Sequence, residues 1–336
     1  MSIGRTAENA ISIDVAAGGA FALLVALAAA SGRPRSELPV ELASALEEVG
    51  DTEGEAWLNL LGIPLDAGGP FTAERLLEEL RSLDAVELRR HLLGRFAWSW
   101  CSLAGIEDIE AAARGDAHAA GRLLKHRRYY GGHAADSLGV LLGLEPEETR
   151  DRIVRAVEVG LGSLLDRSGL DHLDAAEHAA AATIASRPPL VAIERLATGY
   201  RYVPEPEAES VLLIPHLEPE LPLLLAQHRT SRLIVYRATQ DRSSEERLHA
   251  LGRALADPKR VEILALVGRG VGRAPDLVTE TGLSRSTVHH HLALLRDSGL
   301  VALEGNARAY TYVPRHAAAA EAAQLVADLV GTEDEA

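Results

Sequence analysis

Apolar residues recur at helical spacing along most of the chain. From about Ser36 to Ala185 the sequence is rich in Ala, Leu, Glu and Arg, all good helix formers. Thr72 precedes the run ERLLEELRSL in the position of an N-cap, with Arg75 and Glu79 spaced as an exposed ion pair. Pro146 stands in a first helical turn, ahead of a stripe through Ile153, Val157 and Leu161. Gly and Pro at Gly62–Pro70, Gly131-Gly132 and Pro188-Pro189 mark loops. The most apolar run, 16 residues from Val15 to Ala30, falls short of the ~20 that a membrane span needs. Its upstream Arg5 is offset by Glu8 and Asp14, so a signal peptide is not expected. The run predicts a buried, Ala-rich helix in a soluble, cytoplasmic protein that makes no membrane contact.

The texture changes between Tyr200 and Ala238. ESVLLIPH and SRLIVYRA predict two short strands, with LPLLLAQHR as a short helix between them. DRSSEER (241–247) is a polar boundary, or the start of the next helix. Beyond it the pattern sharpens. Leu248, Leu251 and Leu255 share one helical stripe. Asp257 and Pro258 then restart a helix as N-cap and first residue, and that helix ends at Gly268. GRGVGR is a linker: no strand precedes it and no GK[ST] follows, so it is not a phosphate loop. Pro275 opens a short helix that stops at Gly282, where a left-handed cap is needed. Ser284 caps the helix SRSTVHHHLALLRDSG, and LVALEGNARAYTYV forms a hairpin around a polar tip. The order helix, helix, helix-turn-helix, hairpin is a winged helix-turn-helix. The fold class expected is therefore mainly α. A mostly helical domain with short strands near 200–240 occupies residues 1–240, the winged module 241–316, and a dimerisation helix with an acidic tail 317–336.

Charge supports that division. The chain of 336 residues carries a net −15, which argues against diffuse binding to nucleic acid. Yet residues 246–316 hold 10 basic and 7 acidic side chains, a net +3 inside an acidic protein. The single cysteine, Cys101, excludes an intramolecular disulfide and Cys-rich metal sites.

The stretch DPKRVEILALVGRG…APDLVTETGLSRSTVHHHLALLRDSGLV…YTYV resembles the ArsR family of bacterial transcriptional regulators. The likeness covers about residues 246–316 and rests on several spaced elements: DPxR, LSxSTVxxHLxxLRxxGLV and the wing. It implies a homodimeric DNA-binding repressor that responds to an effector and recognises an inverted-repeat operator in double-stranded DNA. In the family the first and last helices of the module pair across a two-fold axis, for which Leu248, Leu251, Leu255, Leu325, Val326 and Leu329 offer apolar surface. Segment 200–245 also resembles an uncharacterised domain found upstream of such modules.

The chemistry expected of the module is DNA recognition. With Val288, Leu292 and Leu295 packed inward, the helix from Arg285 to Asp297 turns Ser286, His289, His290 and Ala293 outward, and its first turn offers Arg285 and Thr287. Arg285 is suited to bidentate bonding with guanine or to a backbone contact. Asn306 and Arg308 flank the wing tip, and Lys259 and Arg260 are placed for phosphate contact or for structural ion pairs. His289–His291 point in three directions and cannot chelate together. His291 lies beside the packed stripe, as a hydrogen-bonded, half-core residue.

No metal or cofactor is expected. The family's metal sensors use Cys on the helix before the turn or His and acidic pairs on the last helix. Here APDLVTETG holds neither Cys nor His, and the last helix offers only His316, Glu321 and Asp328. The N-terminal region is then the place for a small-molecule effector. Trp98, Trp100, Tyr129, Tyr130 and His133 are candidate ligand-binding residues, though they equally suit a helical core. RLLKHRR (122–128) suits a solvated helix face. A protein-docking role for the N-terminal region is the alternative. An enzyme is not expected, because GxSxG, HExxH and P-loop motifs are missing.

Overall fold

The apolar run at 15–30 ends up inside the protein. In a computed structural model, which describes residues 11–218, 221, 223–238, 243–306 and 310–331, it forms the helix Gly19–Ser31. Phe21, Leu23, Leu24 and Leu27 are wholly buried there. Small residues let neighbours approach closely. A Cβ at Gly160, on the helix Pro146–Leu164, would lie 2.9 Å from Leu27 Cδ2. Among the described residues no helix is long and apolar enough to cross a membrane.

The chain divides into two compact units. The first takes in the described residues of 10–186 and 206–238, and the second those of 187–205 and 239–336. Seven strands serve them: β1 (Ser12–Val15), β2 (Tyr200–Tyr202), β3 (Ser210–His216), β4 (Leu224–His228), β5 (Ser231–Arg237), β6 (Val301–Gly305) and β7 (Tyr310–Pro314). In the first unit helices pack against a sheet of order β1-β3-β5-β4, parallel except for β4. Local expectations hold there. Thr72 Oγ1 accepts from Arg75 N at 3.2 Å, Arg75 pairs with Glu79 at 3.6 Å, and Ile153 and Val157 are fully buried.

LPLLLAQHR does not form a helix. Its second half is β4, paired antiparallel with β5, where Leu225 faces Ile234 and His228 faces Ser231. The connection is only Arg229 and Thr230. Arg229 takes the left-handed conformation, φ 53°, that Gly or Asn usually supplies, and its N–H donates to Phe96 O at 2.7 Å. A tertiary bond holds the turn, so no turn residue announces it. β1 and β2 likewise have no local signal.

The second unit is a winged helix-turn-helix, and the chain is mainly helical. Helices Ser244–Leu255, Pro258–Gly268, Ala274–Thr281 and Arg285–Asp297 precede the β6–β7 hairpin and the helix Ala318–Val330. Ser243 and Glu246 form a reciprocal capping box, so the polar boundary segment does start a helix. The unit also recruits the helix Pro189–Leu196 and β2, which pairs parallel with β6 to give a sheet of order β2-β6-β7.

His216, at the end of β3, is 1 % exposed, and neither ring nitrogen has a partner among the described residues. Burial first, and the Arg237 cation second, push its pKa from 6.5 down to about 4. The unfolded chain therefore binds the extra proton between about pH 4 and 6.5, and this site makes the protein more stable as pH rises through that window. His216→Leu is expected to flatten the pH dependence of urea unfolding there, by on the order of 2 kcal/mol at the acid end, without loss of stability at pH 8. An unchanged acid slope would contradict the assignment.

Candidate nucleic-acid interface

The helix-turn-helix is built from caps. Asp257 accepts from the backbone N–H groups of Lys259 and Arg260 at 2.7 and 3.4 Å and so starts the helix Pro258–Gly268. Gly282, φ 67°, ends the next helix, with its N–H on Val278 O at 3.0 Å. Two residues later Ser284 Oγ accepts from Thr287 N at 3.1 Å and lies 2.7 Å from Thr287 Oγ1. The helix Arg285–Asp297 follows, and Val288, Leu292 and Leu295 along it have zero exposure. That stripe sets the rotation of the helix.

The outward face is then determined. Arg285, His290 and Ala293 are exposed, and Thr287 and His289 are half-buried. Arg285 makes no ion pair or hydrogen bond among the described residues. His289 has its pKa lowered, by burial first and then by the Arg285 cation, so its ring favours the neutral form. His291 is buried as expected, but its Nδ1 has no partner among the described residues. Arg308 and the side chain of Ser286 lie outside the described residues.

Lys259 is exposed and pairs with Glu262 at 2.8 Å. Arg260 is committed elsewhere. Its Nη2 donates to Arg253 O at 2.6 Å, its Nε to Ala254 O at 3.0 Å, and Nη1 lies 3.4 Å from Asp257. It ties off the carbonyl end of the helix Ser244–Leu255, a structural use of its charge. The sequence placed both residues at the start of a helix. It did not show that the preceding helix ends within reach of Arg260.

The wing is held from two sides. β6 and β7 pair antiparallel from Val301↔Pro314 to Gly305↔Tyr310, and Asn306 Nδ2 donates to Val203 O at 3.3 Å, beside β2. On the other edge Tyr312 N donates to Gly272 O at 2.8 Å. A Cβ at Gly272 would lie 2.2 Å from Tyr312 O, so GRGVGR is pinned to the wing rather than free. β2 adds the Arg201–Glu304 ion pair, 2.7 Å, and the Tyr200 hydroxyl donates to Gly305 O at 3.0 Å.

Residues 257–302 match the family model for bacterial regulatory proteins of the arsR family. The HTH-type transcriptional regulator YgaV of Escherichia coli K12 is 38% identical over 74 residues, which is 22% of this chain and 75% of that protein. The chain belongs to the ArsR family. Two further relatives, the HTH-type transcriptional regulators CmtR of Mycobacterium tuberculosis and Mycobacterium bovis, are 44% identical over 78 residues, 23% of this chain. The chain spans 66%, just under two thirds, of the length of these mycobacterial relatives. No solved structure matches. The ArsR likeness thus resides in the DNA-binding module.

In the first unit the aromatic residues do not gather into one site. Tyr129 and Tyr130 are fully buried, and their hydroxyls donate to the backbone oxygens of Leu93 and Leu92. Trp100 stacks on Tyr130 with centroids 5.4 Å apart. These three rings fill core. Trp98 is 47% exposed, and His133 lies at the surface, 3.6 Å from Asp136. In the basic run, Arg122 pairs with Asp108 at 2.6 Å.

Removing the Arg260 guanidinium should cost stability rather than DNA charge. Arg260→Ala is expected to lower the unfolding free energy by about 2 kcal/mol in urea melts, through lost charge-assisted hydrogen bonds to the helix end. Lys259→Ala, which loses only an exposed pair, should change it by less than about 1 kcal/mol. Equal effects of the two changes would contradict the clamp.

Proposed function

We propose that this ArsR-family chain is a sequence-specific transcriptional regulator, a repressor that acts as a homodimer on an inverted-repeat operator in double-stranded DNA. The observation that carries the reading is Arg285, exposed and without a partner among the described residues, at the first turn of a capped helix whose apolar stripe is sealed. N-terminal residues of a second helix reach base edges in the major groove, and the helix end itself favours a phosphate. Arg285 serves base recognition, Thr287, His289, His290 and Ser286 serve bases or phosphates, and Arg308 and Asn306 serve the wing contact. Lys259 serves a phosphate. The relatives YgaV and CmtR, both HTH-type transcriptional regulators by name, agree with this role.

Affinity in such a module falls with salt in proportion to the phosphates neutralised. With a net charge of +3 per module, binding is moderate and a dimer doubles it. The test is fluorescence anisotropy on a duplex recovered by genomic fragment capture. Arg285→Ala should weaken binding by ~1–3 kcal/mol, roughly 5- to 150-fold, and relax preference at one base position. Unchanged affinity removes Arg285 from the interface.

Exposed apolar residues support the dimer. Leu255 is 44% exposed on the first helix of the module, and Val326 and Val330 are 45% and 72% exposed on the last. The side chain of Leu329 lies outside the described residues. The first unit, with a core of its own, serves as the sensor of a small-molecule effector. Native mass spectrometry examines both points. The expected mass is two chains plus a retained small molecule, and one chain for Val326→Asp combined with Val330→Asp. A wild-type monomer contradicts the dimer, and a bare protein mass with a tightly co-purifying protein contradicts the sensor.

A further inference from the structure

Three side chains distant in sequence converge in the first unit. Asp66 lies on the helix Gly62–Ala67, His91 on the helix Ala85–Leu92, and His228 is the last residue of β4. One donor atom from each lies within 4.8 Å of the other two. His228 Nε2 is 2.9 Å from Asp66 Oδ1, and His91 Nε2 is 3.8 Å from Asp66 Oδ2. The His228 ring rests on bare backbone, because a Cβ at Gly62 would come within 2.1 Å of its Nδ1.

His91 is the unexplained member. It is 4% exposed, its Nδ1 has no partner among the described residues, and its Nε2 stands 3.8 Å from Asp66 Oδ2, beyond hydrogen-bond distance. A buried ring nitrogen without a partner carries a desolvation cost, and a carboxylate at 3.8 Å offsets little of it. Phe96 and His228 flank its ring, with centroids at 4.6 and 5.7 Å, and neither supplies a partner. Yet its Nε2 faces a carboxylate and a second imidazole. Tetrahedral zinc, with bonds of about 2.0–2.1 Å, sets its donor atoms about 3.4 Å apart, so three donors within 4.8 Å of one another need to close in by about 1.4 Å at most.

We propose that Asp66, His91 and His228 form a binding site for a divalent transition-metal ion of the zinc class. Two imidazoles and one carboxylate are the donor set that borderline divalent ions take, and three protein ligands leave one position for water or another ligand. Arg229 provides the positive charge at Asp66, with Nε and Nη2 each 3.0 Å from a carboxylate oxygen. Its side chain is 55% exposed, so the guanidinium leaves to water when the metal arrives. The site lies outside the DNA-binding module and does not rest on the proposed regulatory function.

The test uses the full chain, stripped with a chelator and titrated with Zn²⁺ against a chromophoric competitor, with Co²⁺ as a visible-absorption probe of the ligand field. The expected result is one equivalent per chain, weakened at least about tenfold in Asp66→Asn and in His228→Gln, with loss of the Co²⁺ band. Arg229→Gln should bind more tightly than wild type, because a competing cation is gone. Should His228→Gln fail to fold, Asp66→Asn carries the comparison, since that side chain is one third exposed. Absence of a stoichiometric site in the wild type, Asp66→Asn affinity equal to wild type, or weaker binding by Arg229→Gln would each overturn the proposal.

Discussion

Everything assigned to the module depends on burial of Val288, Leu292 and Leu295. An α-helix advances about 100° per residue, so a slip of one position would turn Arg285 and His290 toward the core. Three side chains with no exposure prevent it. Each is worth on the order of 2 kcal/mol when buried, more than the exposed polar contacts on the opposite face can offset. Ser284 then sets where the helix begins, because its hydroxyl satisfies an N–H that would otherwise be free. Phase and start together decide which residues face outward.

Much of this module was legible because its determinants are local. Ser284, Asp257, Pro258 and Gly282 act within three or four residues of themselves, and each does in the structure what its position implies. The inward stripe was equally plain. What the sequence did not show are arrangements that need a distant partner. β2 exists because Tyr200–Tyr202 meets Leu303–Gly305, about a hundred residues on. β4 forms where helical spacing seemed adequate, since β5 supplies its hydrogen bonds and Phe96 O holds its turn. Arg260 was open in the sequence between phosphate contact and a structural pair, and its bonds to the end of the preceding helix need that distant partner to be seen. The aromatic residues near 98–133 are close in sequence, and three of them, Trp100, Tyr129 and Tyr130, meet in the core.

Charge follows the same division of labour. The whole chain is acidic, and the segment that holds the helix-turn-helix and wing carries a net +3. Diffuse attraction to DNA is therefore weak, and in the proposed function binding comes from placed contacts at the first turn and wing. The first unit contributes a different chemistry. Its Asp66, His91 and His228 come from two helices and a strand end, separated by up to 162 residues, which is why no spacing rule could have found them.

Selection of bound duplexes from a random library, using the purified chain at physiological salt, tests the central claim most directly. The claim is that a sealed stripe presents a defined helix edge to the major groove. It predicts enrichment of an inverted repeat whose half-sites are spaced by whole helical turns, ~34 Å between centres for one turn. A selected pool with no more sequence preference than the starting library would contradict it.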